Sequence, residues 1–281
     1  MTGVIDVGGG LRGIYGCGIF DRLMDDGVLF DYCIGVSAGA ANLTSYLSGQ
    51  RGRNRRFYME YAFRKQYMSA RNFLRTGSYI DMDYVYGALS GTDGEDPLDF
   101  GALMDSKAAF KVMALDAATG KTVYFDKCEL RRNDYAILKA SSSIPVICRP
   151  WRVGKTLCYD GGMADPVPVK KALADGCDKL VLILTRPVST VRTPKKDELF
   201  ARVIARRYPK AAEKLRLRYR AYNNSVAYAR ELERAGKLLL LAPDSVYGLD
   251  TLTRDRAKMD ALYQKGYGDA SKIAAFIRES Q

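Results

Sequence analysis

Short apolar runs bounded by glycine alternate along the chain with longer stretches whose apolar residues recur at helical spacing. Val4 to Val7 is the first such run, and it breaks into "GGGLRG" before "IYGCGIFDRLMDDG", where Ile14, Ile19 and Leu23 share the inner face of a predicted helix that Gly27 stops. "FDYCIGVS" predicts a second strand, and "AGAANLTSYLSG" a second helix ending near Gly49. "FKVMALDA" and "KTVYFDK", joined by "ATGK", predict a hairpin. Then come a short helix in "DYAILKASSSIP" stopped by Pro145, a strand "LCYDGG" ending in a tight turn, a helix "PVKKALADG" and the strongly apolar strand "DKLVLILT". A helical stretch from about Lys195 to Ala235 is interrupted at Pro209, and the strand "KLLLLAP" and a final helix through Ile277 close the chain. Strands alternating with helices predict an α/β fold, a mainly parallel sheet with helices on both faces. No linker composition appears, so one domain over residues 1–281 is expected.

Composition narrows the chemistry mainly through an absence: among 281 residues there is no histidine. A Ser-His-Asp triad, a Cys-His pair and a histidine-ligated metal are therefore excluded within this chain. The six cysteines contain no CxxC pair, and several sit in apolar runs, so buried free thiols are expected. The N-terminus lacks a basic segment followed by an apolar run, and no apolar run approaches the ~20 residues that span a bilayer, so a cytoplasmic protein is expected. A net charge of +12 suits an anionic surface, an acidic partner or nucleic acid. Zinc spacing, a helix-turn-helix signature and RNP-like strands are missing, so nucleic acid is not an expected partner.

Three motifs carry candidate chemistry. "GVSAG", Gly35 to Gly39, follows an apolar strand and precedes an Ala-rich helix, the setting of a nucleophile elbow that would expose Ser37 on a sharp turn, with Gly35 and Gly39 leaving room for neighbouring backbone. Gly8 to Gly13 fits GxGxxG and could mark a dinucleotide site. That use requires an acidic residue closing the second strand, whereas Asp31 opens it and "GVSAG" occupies its end. A glycine loop before a helix can instead present backbone N–H groups to an oxyanion. "YDGG" places Asp160 at a strand end before Gly161 and Gly162, and without histidine a carboxylate is the natural base.

"GGGLRG", "GVSAG" and "DGG" in this order, with "ASSSIPVICRP" and "DPVPVKKALADGCDKLVLI" flanking the aspartate, resemble the patatin-like phospholipases, most closely their small bacterial cytoplasmic branch. The resemblance implies a three-layer α/β/α fold and a Ser-Asp dyad, Ser37 as nucleophile and Asp160 as base. It implies an oxyanion hole at Gly8, Gly9 and Gly10, with Gly9 and Gly10 as donors and Gly8 shaping the loop, and Arg12 bracing the loop or facing an anionic head group. No cofactor and no metal are implied, and the substrate would be a lipid ester. Relatives often carry aspartate directly before the glycines, whereas Val7 separates Asp6 from them here, and an asparagine often stands near Asp165; neither departure is expected to touch the dyad. The motifs fall within about residues 1–185, and the helical part from about 195 to 281 carries none that is recognised.

"RGRNRRFYMEYAFRKQYMSARNFLR", Arg51 to Arg75, interleaves aromatics with cations. It suits peripheral contact with an anionic membrane, at the inner membrane surface, or equally a buried helix with a solvated basic edge. The expected function is a serine lipid acyl hydrolase of phospholipase A or lysophospholipase type. The alternatives are a non-catalytic lipid-binding or interaction protein on the same fold, and a nucleotide-binding enzyme using the glycine loop.

Overall fold

The computed structural model describes residues 1–278. Its core is an eight-stranded sheet: β1 (Thr2–Asp6), β2 (Tyr32–Val36), β3 (Ala109–Asp116), β4 (Thr122–Asp126), β5 (Trp151–Val153), β6 (Thr156–Asp160), β7 (Lys179–Ile183) and β8 (Leu238–Leu241). Strands β8, β7, β1, β2 and β3 lie side by side and parallel. Side chains alternate between faces, as pleating requires. Val4, Cys33 and Val181 pack with α1 (Ile14–Asp25) and α2 (Ala38–Leu47), while Ile5, Ile34 and Leu182 pack with the helices Val169–Ala174 and Pro209–Arg234. The predicted layers and mainly parallel sheet are those observed.

The antiparallel strands decide where chemistry can occur. β4 pairs with Lys111 to Leu115 of β3, and so occupies one edge of that strand. β2 pairs with β3 as far as Val36 opposite Met113, and β6 begins where it stops, with Asp160 opposite Ala114. Because β6 and β4 both pair with Leu115, β6 must lie on the edge that β2 uses. Two strands thus meet head to head along one side of β3, and the residues at their ends become neighbours.

The closing helix differs from expectation. It is two helices, Arg256–Asp269 and Ser271–Arg278, and the break at Ala270 brings Ile273 into the core. The first packs tightly on α1: a Cβ on Gly18 would stand 2.1 Å from the Tyr263 carbonyl, and one on Gly266 2.0 Å from that of Tyr15. β5, only three residues long, gives too short a run to be read from the sequence. Among the described residues no helix is long and apolar enough to cross a membrane.

The basic stretch is largely folded inward. Arg53 is buried, donates to the Ser45 and Ser90 hydroxyls and the Asp96 carbonyl, and faces the Asp96 carboxylate at 3.6 Å. Arg56 also reaches Asp96, Arg51 reaches Asp25, Arg55 reaches Asp260 and Arg64 reaches Glu95. Arginines with facing carboxylates account for much of this charge run without an outside partner.

Candidate active site

The loops that follow β1, β2 and β7 emerge at the same end of the sheet, where open parallel sheets form their clefts. After β2 the chain turns sharply into α2, and Ser37 takes φ 56° and ψ −127°, outside the regions open to L-residues at low cost. The turn is held from both sides. The Ser37 N–H donates to the Ser141 hydroxyl at 3.0 Å, and a Cβ on Gly39 would meet the Asp6 carbonyl at 2.2 Å. Gly35 is equally constrained, since its Cβ would lie 2.4 Å from the Cα of Ala40.

Asp160 arrives at Ser37 through the head-to-head meeting of β2 and β6. Its carboxylate accepts the Gly162 N–H at 2.8 Å, and the Ser37 side chain lies close enough to favour its ionised form. Burial raises its pKa above the ordinary carboxylate value, opposed by the nearby Ser37 hydroxyl, by the Gly162 N–H and by the positive charge of Arg218. Gly161 permits the close approach, because a Cβ there would stand 2.7 Å from Met113.

The glycine loop lies beside this pair. Gly8, Gly9 and Gly10 have φ values of 61°, 123° and 62°, a run that side-chain-bearing residues would adopt only with strain. Gly8 shapes the loop and does not offer its N–H to the cleft: that N–H donates to Asp6 Oδ1 at 2.9 Å, and its carbonyl accepts from the Thr185 hydroxyl. The Leu11 N–H is likewise taken, by the Thr251 carbonyl. Among the described residues Gly9 and Gly10 are left with uncommitted N–H groups in this loop.

Asp6 braces the glycine loop without a hydrogen bond to Ser37 or Asp160. It is fully buried, accepts from Asn42 at 2.9 Å as well as from Gly8, and burial pushes its pKa up to about 6. Asn42 in turn donates to the Gly13 carbonyl and accepts from the Tyr58 hydroxyl, tying the glycine loop to α2. Asp31, the misplaced ribose partner of the nucleotide reading, accepts the Thr2 N–H at the opposite end of the sheet.

Two chambers meet at Ser37, Gly10, Ile144, Thr251 and Leu252. One is apolar, lined by Phe57, Met68, Met82, Val85, Leu98 and Leu138 among others. Its walls come largely from the excursion between α2 and β3. The other is polar and contains Asp160, Arg12 and Arg218. Arg12 is 4% exposed and reaches Asp250 at 3.2 Å and the Thr251 hydroxyl at 3.3 Å. Among the described residues no group of three or more Cys, Asp or Glu is placed to hold a metal ion.

A family model described as patatin-like phospholipase matches residues 7–173, which is more than half of the chain. The chain belongs to the patatin-like phospholipase family. The matched span contains Ser37, Asp160 and the glycine loop. A second model, described as a domain of unknown function (DUF6363), matches residues 208–279. An uncharacterized protein of Escherichia coli (strain K12), YjjU, is 33% identical over 203 residues, 67% of this chain and 53% of that protein, so the chain spans about half the length of this relative. The crystal structure of VipD from Legionella pneumophila superposes with a TM-score of 0.50 at 13% identity, covering 96% of this chain and 66% of that one, a likeness of fold.

For this patatin-like chain, the site extends past the family match into the segment where no motif is legible. A Cβ on Gly10 would stand 2.3 Å from the Thr251 carbonyl, so the C-terminal loop lies directly on the glycine loop. Sequence reasoning also passes over Asn42, Ser141 and Thr185. The only signals available were their polar character within apolar or Ala-rich surroundings.

Proposed function

We propose that the protein hydrolyses carboxylic esters of lipids with a Ser37–Asp160 dyad. The observation that carries this reading is the head-to-head meeting of β2 and β6, which sets a strained serine and a buried carboxylate side by side next to a glycine loop with two uncommitted donors. Ser37 Oγ attacks the acyl carbonyl carbon as its proton passes to Asp160, and the Gly9 and Gly10 N–H groups stabilise the oxyanion. Asp160 then returns the proton to the departing alcohol oxygen, leaving an acyl-serine. Water, deprotonated by Asp160, attacks that ester, and Asp160 returns the proton to Ser37 Oγ as the fatty acid leaves. Burial suits Asp160 to this work, because a carboxylate of raised pKa is a stronger base. The apolar chamber would take the acyl chain.

The test is labelling with a fluorophosphonate probe, with the modified residue mapped, beside turnover of p-nitrophenyl butyrate. Labelling at Ser37, with nearly complete loss of turnover in Ser37→Ala and in Asp160→Asn, is the expected result, since the two act as a unit. Near-parental turnover in either variant overturns the dyad, and an unlabelled, inactive parent protein points to a lipid-binding role instead.

A further inference from the structure

The polar chamber holds more positive charge than its carboxylates neutralise. Its cations are Arg12, Arg186, Arg192, Lys196 and Arg218, facing Asp160, Asp197 and Asp250. Asp250 is shared by Arg12 at 3.2 Å, Arg186 at 3.8 Å and Lys196 at 2.5 Å, and Asp197 is shared by Arg218 and by Arg192 at 3.4 Å. Arg12 is the centre of this excess. It is almost wholly buried in the chamber wall, yet its Nε has no hydrogen-bond partner. Burial, then the neighbouring charge of Arg186, depresses its pKa to about 10, and Arg192 is depressed similarly by burial and Arg218. Five cations crowded around three carboxylates make a chamber whose like-charge repulsion a bound anion would relieve.

Ser37 belongs to both chambers, so an ester whose acyl chain fills the apolar one must extend its alcohol moiety into the cationic one. We infer that the substrate's alcohol moiety carries a net negative charge, as in an acidic glycerophosphate head group, and that Arg12, Arg186 and Arg192 select it over zwitterionic head groups. This inference rests on the hydrolase reading above. A quaternary ammonium would meet the same positive surplus, and the carboxylates that could receive it, Asp197 and Asp250, are already engaged by arginine and lysine.

The experiment compares kcat/KM for lysophosphatidic acid and lysophosphatidylcholine of the same acyl chain, with the full-length protein and with Arg186→Gln and Arg192→Gln. The expected ratio favours the acidic lipid by about tenfold or more, the scale of one charge-assisted hydrogen bond, and falls toward one in each variant, chiefly through KM of the acidic lipid. Reading a ratio within each protein separates selectivity from any general loss of stability. Competition by glycerol 3-phosphate and by inorganic phosphate distinguishes the sources of the anion. Inhibition by glycerol 3-phosphate well beyond that by inorganic phosphate supports a head-group site, while equal inhibition marks a free-phosphate site and overturns the assignment. Equal turnover of the two lipids, or preference for the choline lipid, overturns the inference and leaves the hydrolase reading standing. Absence of all ester turnover in the parent protein overturns both.

Discussion

Two regions converge on Ser37 and contribute in different ways. Residues 7–173 supply the glycine loop, the elbow and Asp160, and each of these depends on an unusual backbone state or on the absence of a side chain. Residues 208–279 supply Arg218, the Thr251 carbonyl and the carboxylate of Asp250. A backbone carbonyl can come from any residue type, and a charge from several. A constraint on backbone geometry leaves a motif in the sequence, whereas a contribution of carbonyls and charges does not, although both kinds of group line the same cleft.

The sharpest way to break the comparison is at the point of contact between the regions. Gly10→Val puts a branched side chain where φ is positive and where the Thr251 carbonyl leaves no room. Turnover of p-nitrophenyl butyrate should fall ~100-fold or more, the effect of losing an oxyanion donor, while circular dichroism retains the helical signal. Activity within a few-fold of the parent would show that the C-terminal loop does not set the glycine loop's geometry.

A second test isolates Asp6, which supports the loop from within the N-terminal region. Its folded-state pKa, about 6, lies above the ordinary 3.8, so between these values the folded chain binds more protons than the unfolded chain. Stability therefore falls as pH rises through this window, by about 3 kcal/mol for this one group. Denaturant titrations at pH 4 and pH 7 should show that component in the parent and its loss in Asp6→Asn. The variant also sets an amide donor against the Asn42 amide, adding a pH-independent cost. Identical pH slopes in the two proteins would remove Asp6 from this role.

The smallest effect concerns the charge run. Arg55 and Asp260 pair at 2.8 Å across the two regions, but both are near 40% exposed or more, and Arg55→Ser should cost under ~1 kcal/mol. Arg53, two residues earlier, is buried against Asp96, Ser45 and Ser90, and Arg53→Ser should cost about 3 kcal/mol by leaving those groups unpaired. Equal costs in thermal or chemical denaturation would contradict this division of the Arg51–Arg75 stretch.

That stretch shows where sequence reading runs out. Arg53 and Arg55 look alike in a run of cations, and only the position of Asp96, forty residues on, makes one of them interior. The strands themselves are more legible, because apolar runs and the "ATGK" turn reflect local constraints that the observed strands satisfy. The single closing helix fails for a nonlocal reason: the break at Ala270 accompanies the turn of Ile273 into the core, which no local breaker announces. Gly8 illustrates the same limit within a recognised motif, since its membership in the glycine run is local but the capture of its N–H by Asp6 depends on how β1 meets the loop.

By itself the sequence determined the mainly parallel α/β layering, the absence of histidine chemistry, and the serine, aspartate and glycines that are candidates for the site. These follow from periodicity, composition and residues whose backbone demands are met within a few positions. Only the tertiary structure decided that Ser37 and Asp160 adjoin, that Gly9 and Gly10 but not Gly8 keep uncommitted donors, and that Arg12 faces Arg186 and Arg192 in one cleft. The reason is physical. Each of these facts is a relation between segments far apart in the chain, set by which strand edge remained open on β3 and by how the C-terminal helix seats its loop on the glycines.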